Sequence, residues 1–132
     1  IDMAICFFDT ENNKMQYSGA NASLLFIRNN ELTEYKPTKS PIGIHVREFE
    51  FENHNIDIQK NDLIYLHTDG YSDQFGGEDG VKLKIKNLKK LLVSNSNFDM
   101  NEQKQILDDS VNKRISEFGK QIDDILIVGV KM

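Results

Sequence analysis

Hydrophobic positions along this chain change their spacing once, near residue 80. Before that point, segments 3–8, 14–19, 23–28, 31–36, 47–51 and 62–68 are short and rich in aromatic and branched residues, with Asn12-Asn13, Asn29-Asn30 and Pro41 among the turn formers between them. Such runs predict antiparallel strands. Asn29-Asn30 suits a two-residue hairpin turn because Asn tolerates positive φ, and Phe49 and Phe51 alternate with Glu48 and Glu50 as a half-buried strand requires. After that point Leu83, Ile85, Leu88, Leu91 and Leu92 fall mostly three or four apart, with Lys82, Lys84, Lys86, Lys89 and Lys90 between them. This spacing predicts an amphipathic helix whose lysine run is a solvated face. A second helix is predicted from Met100 to Phe118, opened by Asp99 and Glu102 as a capping pair and closed by Gly119. Its apolar stripe is Ile106, Leu107, Val111, Ile115 and Phe118. The run Ile125–Val130 is apolar at nearly every position, which predicts a strand buried on both faces and therefore central in its sheet.

Composition narrows the class. At 132 residues, 39% apolar and 28% charged, the chain suits one globular domain with one core. A net charge of −5 argues against nucleic acid, which is bound through clustered Lys and Arg. Cys6 is the only cysteine, so neither an internal disulfide nor a cysteine-rich zinc site can form, which fits a reducing, cytoplasmic setting. The apolar run at 125–130 is far short of the roughly 20 residues that span a bilayer, so no membrane contact is expected of this segment. Residues 1–8 already have strand character with no leader before them, so the chain is expected to start in mid-sheet, as the C-terminal part of a domain.

The chemistry centres on acidic residues beside the two most strand-like segments. Leu63–His67 runs into Thr68-Asp69-Gly70, which places Asp69 at a strand's C-terminal end, while Asp123 and Asp124 immediately precede the last strand. If the two strands are antiparallel neighbours, about 4.8 Å apart, these carboxylates meet at one sheet edge. Oxygen ligands of this kind suit Mg²⁺ or Mn²⁺, although Asp beside a strand is also an ordinary turn residue and spacing alone favours that plainer reading. His45, His54 and His67 are too dispersed for a zinc site or a triad, and His67, inside a strand, reads as a packed histidine. Ser18 and Ser23 lack the setting of an activated nucleophile. Phe75–Gly80 is glycine-rich without a following Lys-Ser/Thr, so it reads as a mobile connection and not as a phosphate loop.

Four signals in order, Tyr17-Ser18-Gly19-Ala20-Asn21, Pro41-Ile42-Gly43, Asp62–Gly70 and Gln121-Ile122-Asp123-Asp124-Ile125, resemble the stage II sporulation protein E type of bacterial phosphatase. That group is a branch of the metal-dependent protein serine/threonine phosphatases (PPM), and the resemblance covers almost the whole chain. It implies an α/β/β/α sandwich, here truncated at its N-terminus, with largely antiparallel sheets and two C-terminal helices. It also implies a pair of Mn²⁺ or Mg²⁺ ions at one edge of the sandwich, with Asp69 and Asp123 as ligands and Asp124 as a neighbour. The nucleophile would be a metal-activated water, so no protein side chain need be phosphorylated. The implied substrate is a phosphoserine or phosphothreonine on a regulatory protein, such as an anti-anti-sigma-like factor in partner switching. Two departures matter. The family's Gly-Asp and Gly-His-Gly elements lie upstream of the part present, so these 132 residues alone are expected to bind Mn²⁺ weakly and to turn over little substrate. Ala20-Asn21-Ala22 stands where the family often has Ala-Gly-His, which removes any role carried by that histidine.

The rival reading is a non-catalytic module that keeps the sheet and binds a regulator; Asp69 and Asp123 together argue for the enzyme. Surface left open by truncation would favour self-association.

Overall fold

The structure, a computed structural model, describes residues 1–43 and 49–132. β1 (Met3–Asp9) and β2 (Lys14–Ala20) form a hairpin whose turn is tied by the Asp9 carboxylate, which accepts from the Asn12 backbone N–H at 3.1 Å and from its side-chain amide at 2.8 Å. β3 (Leu24–Arg28) and β4 (Glu31–Tyr35) form a second hairpin. Asn29 and Asn30 turn it at φ of 50° and 64°, the left-handed values that such a tight turn requires. β5 (Asn53–Asp57) pairs with β2, and β6 (Leu63–His67) pairs with β3. The short α1 (Gly70–Asp73), then α2 (Ile85–Ser94) and α3 (Met100–Phe118), lead to β7 (Ile127–Lys131), which pairs with β6.

The strands make two antiparallel sheets, in the orders β1-β2-β5 and β4-β3-β6-β7. Alternation sends Met15, Tyr17, Leu24, Phe26, Ile56, Ile58 and Ile64 into the space between the sheets. The other face of the four-stranded sheet presents Leu25, Ile27, Leu63 and Tyr65 to Leu88 and Leu92 of α2 and Val111 of α3. The result is the antiparallel α+β sandwich that the family resemblance implies, with its helices on the four-stranded sheet. Ile5 and Phe7, on the outer face of the three-stranded sheet, are 56% and 64% exposed. Burial pushes the Tyr65 hydroxyl up to about 12, so it stays protonated and donates to the buried Gln103 side chain of α3. Asp62 is buried beside Arg28, whose Nε and Nη2 reach its two oxygens at 2.8 and 2.6 Å.

Several expectations are corrected. The strand expected at 47–51 falls partly outside the described residues, which exclude 44–48 with His45 and Glu48 among them; its described part, 49–51, is not in a strand, and Phe49 and Phe51 are exposed at 49% and 41%. The strand is instead Asn53–Asp57, where only His54 and Ile56 face inward and the outward face is wholly polar. Its weak apolar signal is offset by the stacking of His54 on Tyr17, at 5.5 Å between ring centroids. The last strand begins at Ile127, two residues later than Ile125, and among the described residues it is an edge strand paired only to β6, with Val128 45% exposed. Its apolar run is divided among tasks: Ile125 and Ile127 pack under the helices, Val130 packs between the sheets, and Leu126 bonds to Thr68. The glycine-rich segment after α1 is packed on α3, with Phe75 stacked on Phe118 at 5.2 Å and the Gly77 N–H donating to Glu117 at 2.6 Å. A Cβ at Gly76 would stand 2.5 Å from the Arg114 carbonyl oxygen, so glycine is required there for close approach.

Candidate metal-binding edge

β6 and β7 run antiparallel with His67 opposite Ile127, so the residues leaving one strand lie beside those entering the other. Thr68 makes that neighbourhood specific. Its N–H donates to the Leu126 carbonyl at 3.0 Å, its hydroxyl donates to the Asp124 carbonyl at 2.9 Å, and the same hydroxyl accepts from the Leu126 N–H at 3.0 Å. Gly70 closes the contact from the other side, since a Cβ there would lie 2.2 Å from the Asp124 carbonyl oxygen. Asp69 therefore stands between two residues that each touch the backbone of Asp124.

Asp69, Asp123 and Asp124 are all exposed. Asp69 is the residue before α1, yet its carboxylate makes no capping hydrogen bond. The turn is closed by its carbonyl instead, which accepts from the Asp73 N–H at 2.8 Å and the Ser72 hydroxyl at 2.9 Å. One oxygen of Asp123 accepts from the Asp124 N–H at 2.7 Å, and its carbonyl accepts from the Gln121 side chain at 2.7 Å. His67, immediately before this edge, has Nδ1 3.1 Å from the Thr68 carbonyl, while its Nε2 is buried with no partner among the described residues.

Sequence reasoning missed one residue of this edge. Gln74 follows α1 and is fully buried. Its amide nitrogen donates to the Phe75 and Lys120 carbonyls, both at 3.0 Å, and its oxygen accepts from the Ile122 N–H at 3.2 Å. A lone Gln between Asp73 and Phe75 carries no periodic signal; its burial arises only once residues 120–122 fold back over α1.

Exposed carboxylates with hard oxygen donors fit Mg²⁺ or Mn²⁺, which bind through one or two carboxylates and keep much of their water. The count is short of a complete protein cage: among the described residues no group of three or more His, Cys, Asp or Glu is close enough to hold an ion. The edge thus offers ligands of the right type for part of a hydrated cation site.

The family model described as Stage II sporulation protein E (SpoIIE) matches residues 1–132. No curated protein matches the chain. Among solved structures, the chain is similar to the SiaA PP2C domain of Pseudomonas aeruginosa, with 24% identity and a TM-score of 0.87 over 99% of this chain and 51% of that one. It is also similar to the phosphatase domain of the cell fate determinant SpoIIE from Bacillus subtilis, presoaked with Mn, at 19% identity and a TM-score of 0.72, covering 100% of this chain and 56% of that one. A Mycobacterium tuberculosis protein with RsbU and RsbW domains matches at 18% identity and a TM-score of 0.71, covering 98% of this chain and 35% of that one. The chain therefore spans about half the length of the first two of these relatives.

Proposed function

We propose, from the premise that this chain belongs to the stage II sporulation protein E (SpoIIE) family, that it supplies the acidic edge of a metal-dependent phosphoprotein phosphatase. The observation that carries this reading is the seam in which Thr68 and Gly70 contact the Asp124 backbone and thereby bring the Asp69 segment beside Asp123 and Asp124. In this reading the carboxylates of Asp69 and Asp123 hold Mn²⁺ or Mg²⁺, with Asp124 as a flanking carboxylate. When bound, such a cation lowers the pKa of a coordinated water and neutralises charge on phosphoryl oxygens. The chain's own part is positional: the Thr68 hydroxyl fixes the separation of the two segments, and Gly70 permits their close approach.

The substrate class that follows is phosphoserine or phosphothreonine on a regulatory protein, and partner switching is the signalling setting proposed for it. The similarity to a protein that carries RsbU and RsbW domains supports that setting. The proposed place of action is the cytoplasm; no helix among the described residues is long and apolar enough to cross a membrane.

The reading is tested in the full-length protein with Asp69→Ala. Mn²⁺-dependent release of phosphate from a phosphoserine peptide should fall by at least about 100-fold, as loss of a metal ligand requires, while circular dichroism stays native. Turnover equal to wild type would remove Asp69 from the metal site, and a wild-type protein that releases no phosphate with Mn²⁺ would favour the non-catalytic binding module.

A further inference from the structure

We propose that Gln74 is the positioning residue of the acidic edge: its buried amide clamps residues 120–122, and so sets where the next two residues, Asp123 and Asp124, stand relative to Asp69. The inference rests on the reading of these aspartates as metal-holding groups, and it adds a residue that touches neither metal nor substrate.

The side-chain amide of glutamine has two N–H donors and one carbonyl acceptor. In Gln74 both donors are used, one on the Phe75 carbonyl just after α1 and one on the Lys120 carbonyl across the seam, and the acceptor takes the Ile122 N–H. A single side chain thus grips the returning segment at two points while anchored beside α1. Residues 120–124 are otherwise exposed, and α3 has already ended at Gly119 in a left-handed turn with φ of 94°. Five residues leave that helix without regular structure before Ile125 packs under the helices. Thr68 holds the far end of this stretch, at Asp124 and Leu126, and Gln74 holds the near end, at Lys120 and Ile122. Asp123 lies between the two clamps. Without Gln74, Thr68 alone cannot fix both ends, and a carboxylate displaced by about 1 Å is a poorer ligand for a cation with strict octahedral preferences.

No shorter or apolar side chain reproduces this grip. Gln74→Leu keeps the volume and removes all three hydrogen bonds. In the metal-free full-length protein, hydrogen–deuterium exchange of the Gln74→Leu variant should quicken at 120–126 and stay unchanged at 14–28 in β2 and β3. Its half-saturating Mn²⁺ concentration, measured by calorimetry, should rise about 10-fold, the scale seen when a group that orients a metal ligand is lost. Ile56→Ala, a truncation between the sheets, is the control for a general loss of stability: it should lower Tm and leave Mn²⁺ affinity unchanged. Equal weakening of Mn²⁺ binding by Ile56→Ala and Gln74→Leu at equal loss of Tm would overturn the proposal. If Gln74→Leu does not fold, the wild-type protein still decides the matter, because the Ile122 N–H should be protected from exchange despite lying at an exposed residue, and rapid exchange there refutes the clamp. Should Asp69→Ala leave Mn²⁺ affinity unaltered, the metal reading fails by itself, and exchange at 120–126 continues to judge Gln74 alone.

Discussion

Gly70 shows how one absent methyl group shapes this edge. It opens α1, where alanine would ordinarily be favoured over glycine by up to about 1 kcal/mol of helix propensity. That gain is outweighed, because a Cβ would sit 2.2 Å from the Asp124 carbonyl oxygen and 2.8 Å from its carbonyl carbon, both backbone atoms that cannot rotate away. One segment must move, and it carries an aspartate whichever it is. Gly70→Ala should therefore destabilise the protein by about 1–3 kcal/mol, the usual cost of overpacking, and should weaken Mn²⁺ binding at the same time. A thermal melt and a calorimetric titration check the two effects; a variant as stable as wild type would mean that the seam yields at no cost. Thr68 differs from Gly70 in kind. Its hydroxyl both donates to Asp124 and accepts from Leu126, so valine, with the same shape, loses two hydrogen bonds and gains none.

Among the elements, α3 is the one most completely determined by local sequence. The Asp99 carboxylate accepts from the N–H groups of Asn101 and Glu102 at 2.8 and 2.9 Å, and the Glu102 carboxylate accepts from the Asp99 N–H at 3.1 Å, so three otherwise unpaired donors are satisfied. Asp99→Ala should cost about 1 kcal/mol, a fall in Tm of about 4 °C for a domain of this size, with Mn²⁺ affinity unchanged because the cap lies at the other end of the helix from the segment 120–124. A Tm within 1 °C of wild type, roughly 0.2 kcal/mol on the same scale, would show that solvent replaces the cap. Such caps, the Asn29-Asn30 turn and the spacing of Leu88 and Leu92 are local or periodic signals, and the sequence conveys them. β5 has neither kind of signal, because Asn53, Asn55 and Asp57 face water and its inward His54 depends on Tyr17, distant in sequence. β7 misleads for the opposite reason, since its apolar residues are recruited by three different neighbours and continuous hydrophobicity does not report where the sheet ends. The same division holds at the candidate site: Thr68-Asp69-Gly70 and Asp123-Asp124 are legible as motifs, whereas Gln74 acquires its role only from long-range folding.

At the scale of the molecule the two sheets close on one side and stay open on the other. β5 lies over β4, where the rings of His54 and Tyr35 meet edge to face at 5.5 Å, which leaves β1 and β7, among the described residues, as the edges of the opposite side. That side carries exposed apolar residues on both strands, Ile5 and Phe7 at 56% and 64%, Leu126 just before β7 at 57%, and Val128 at 45%. Unpaired edges with apolar side chains are templates for further strand pairing, and the relatives that share this fold have chains about twice as long as this one. These 132 residues expressed alone should therefore associate through that side, giving an apparent mass in light scattering that rises with concentration. Replacing Phe7 and Val128 together by Lys should shift the population toward monomer, because a charge on each edge opposes pairing. Because no group of three ligands forms among the described residues, neither the associated nor the monomeric species should hydrolyse para-nitrophenyl phosphate appreciably with Mn²⁺ present. A monomer at all concentrations would show that the open side is content in water, and rapid hydrolysis by the same sample would show that Asp69, Asp123 and Asp124 suffice without further ligands.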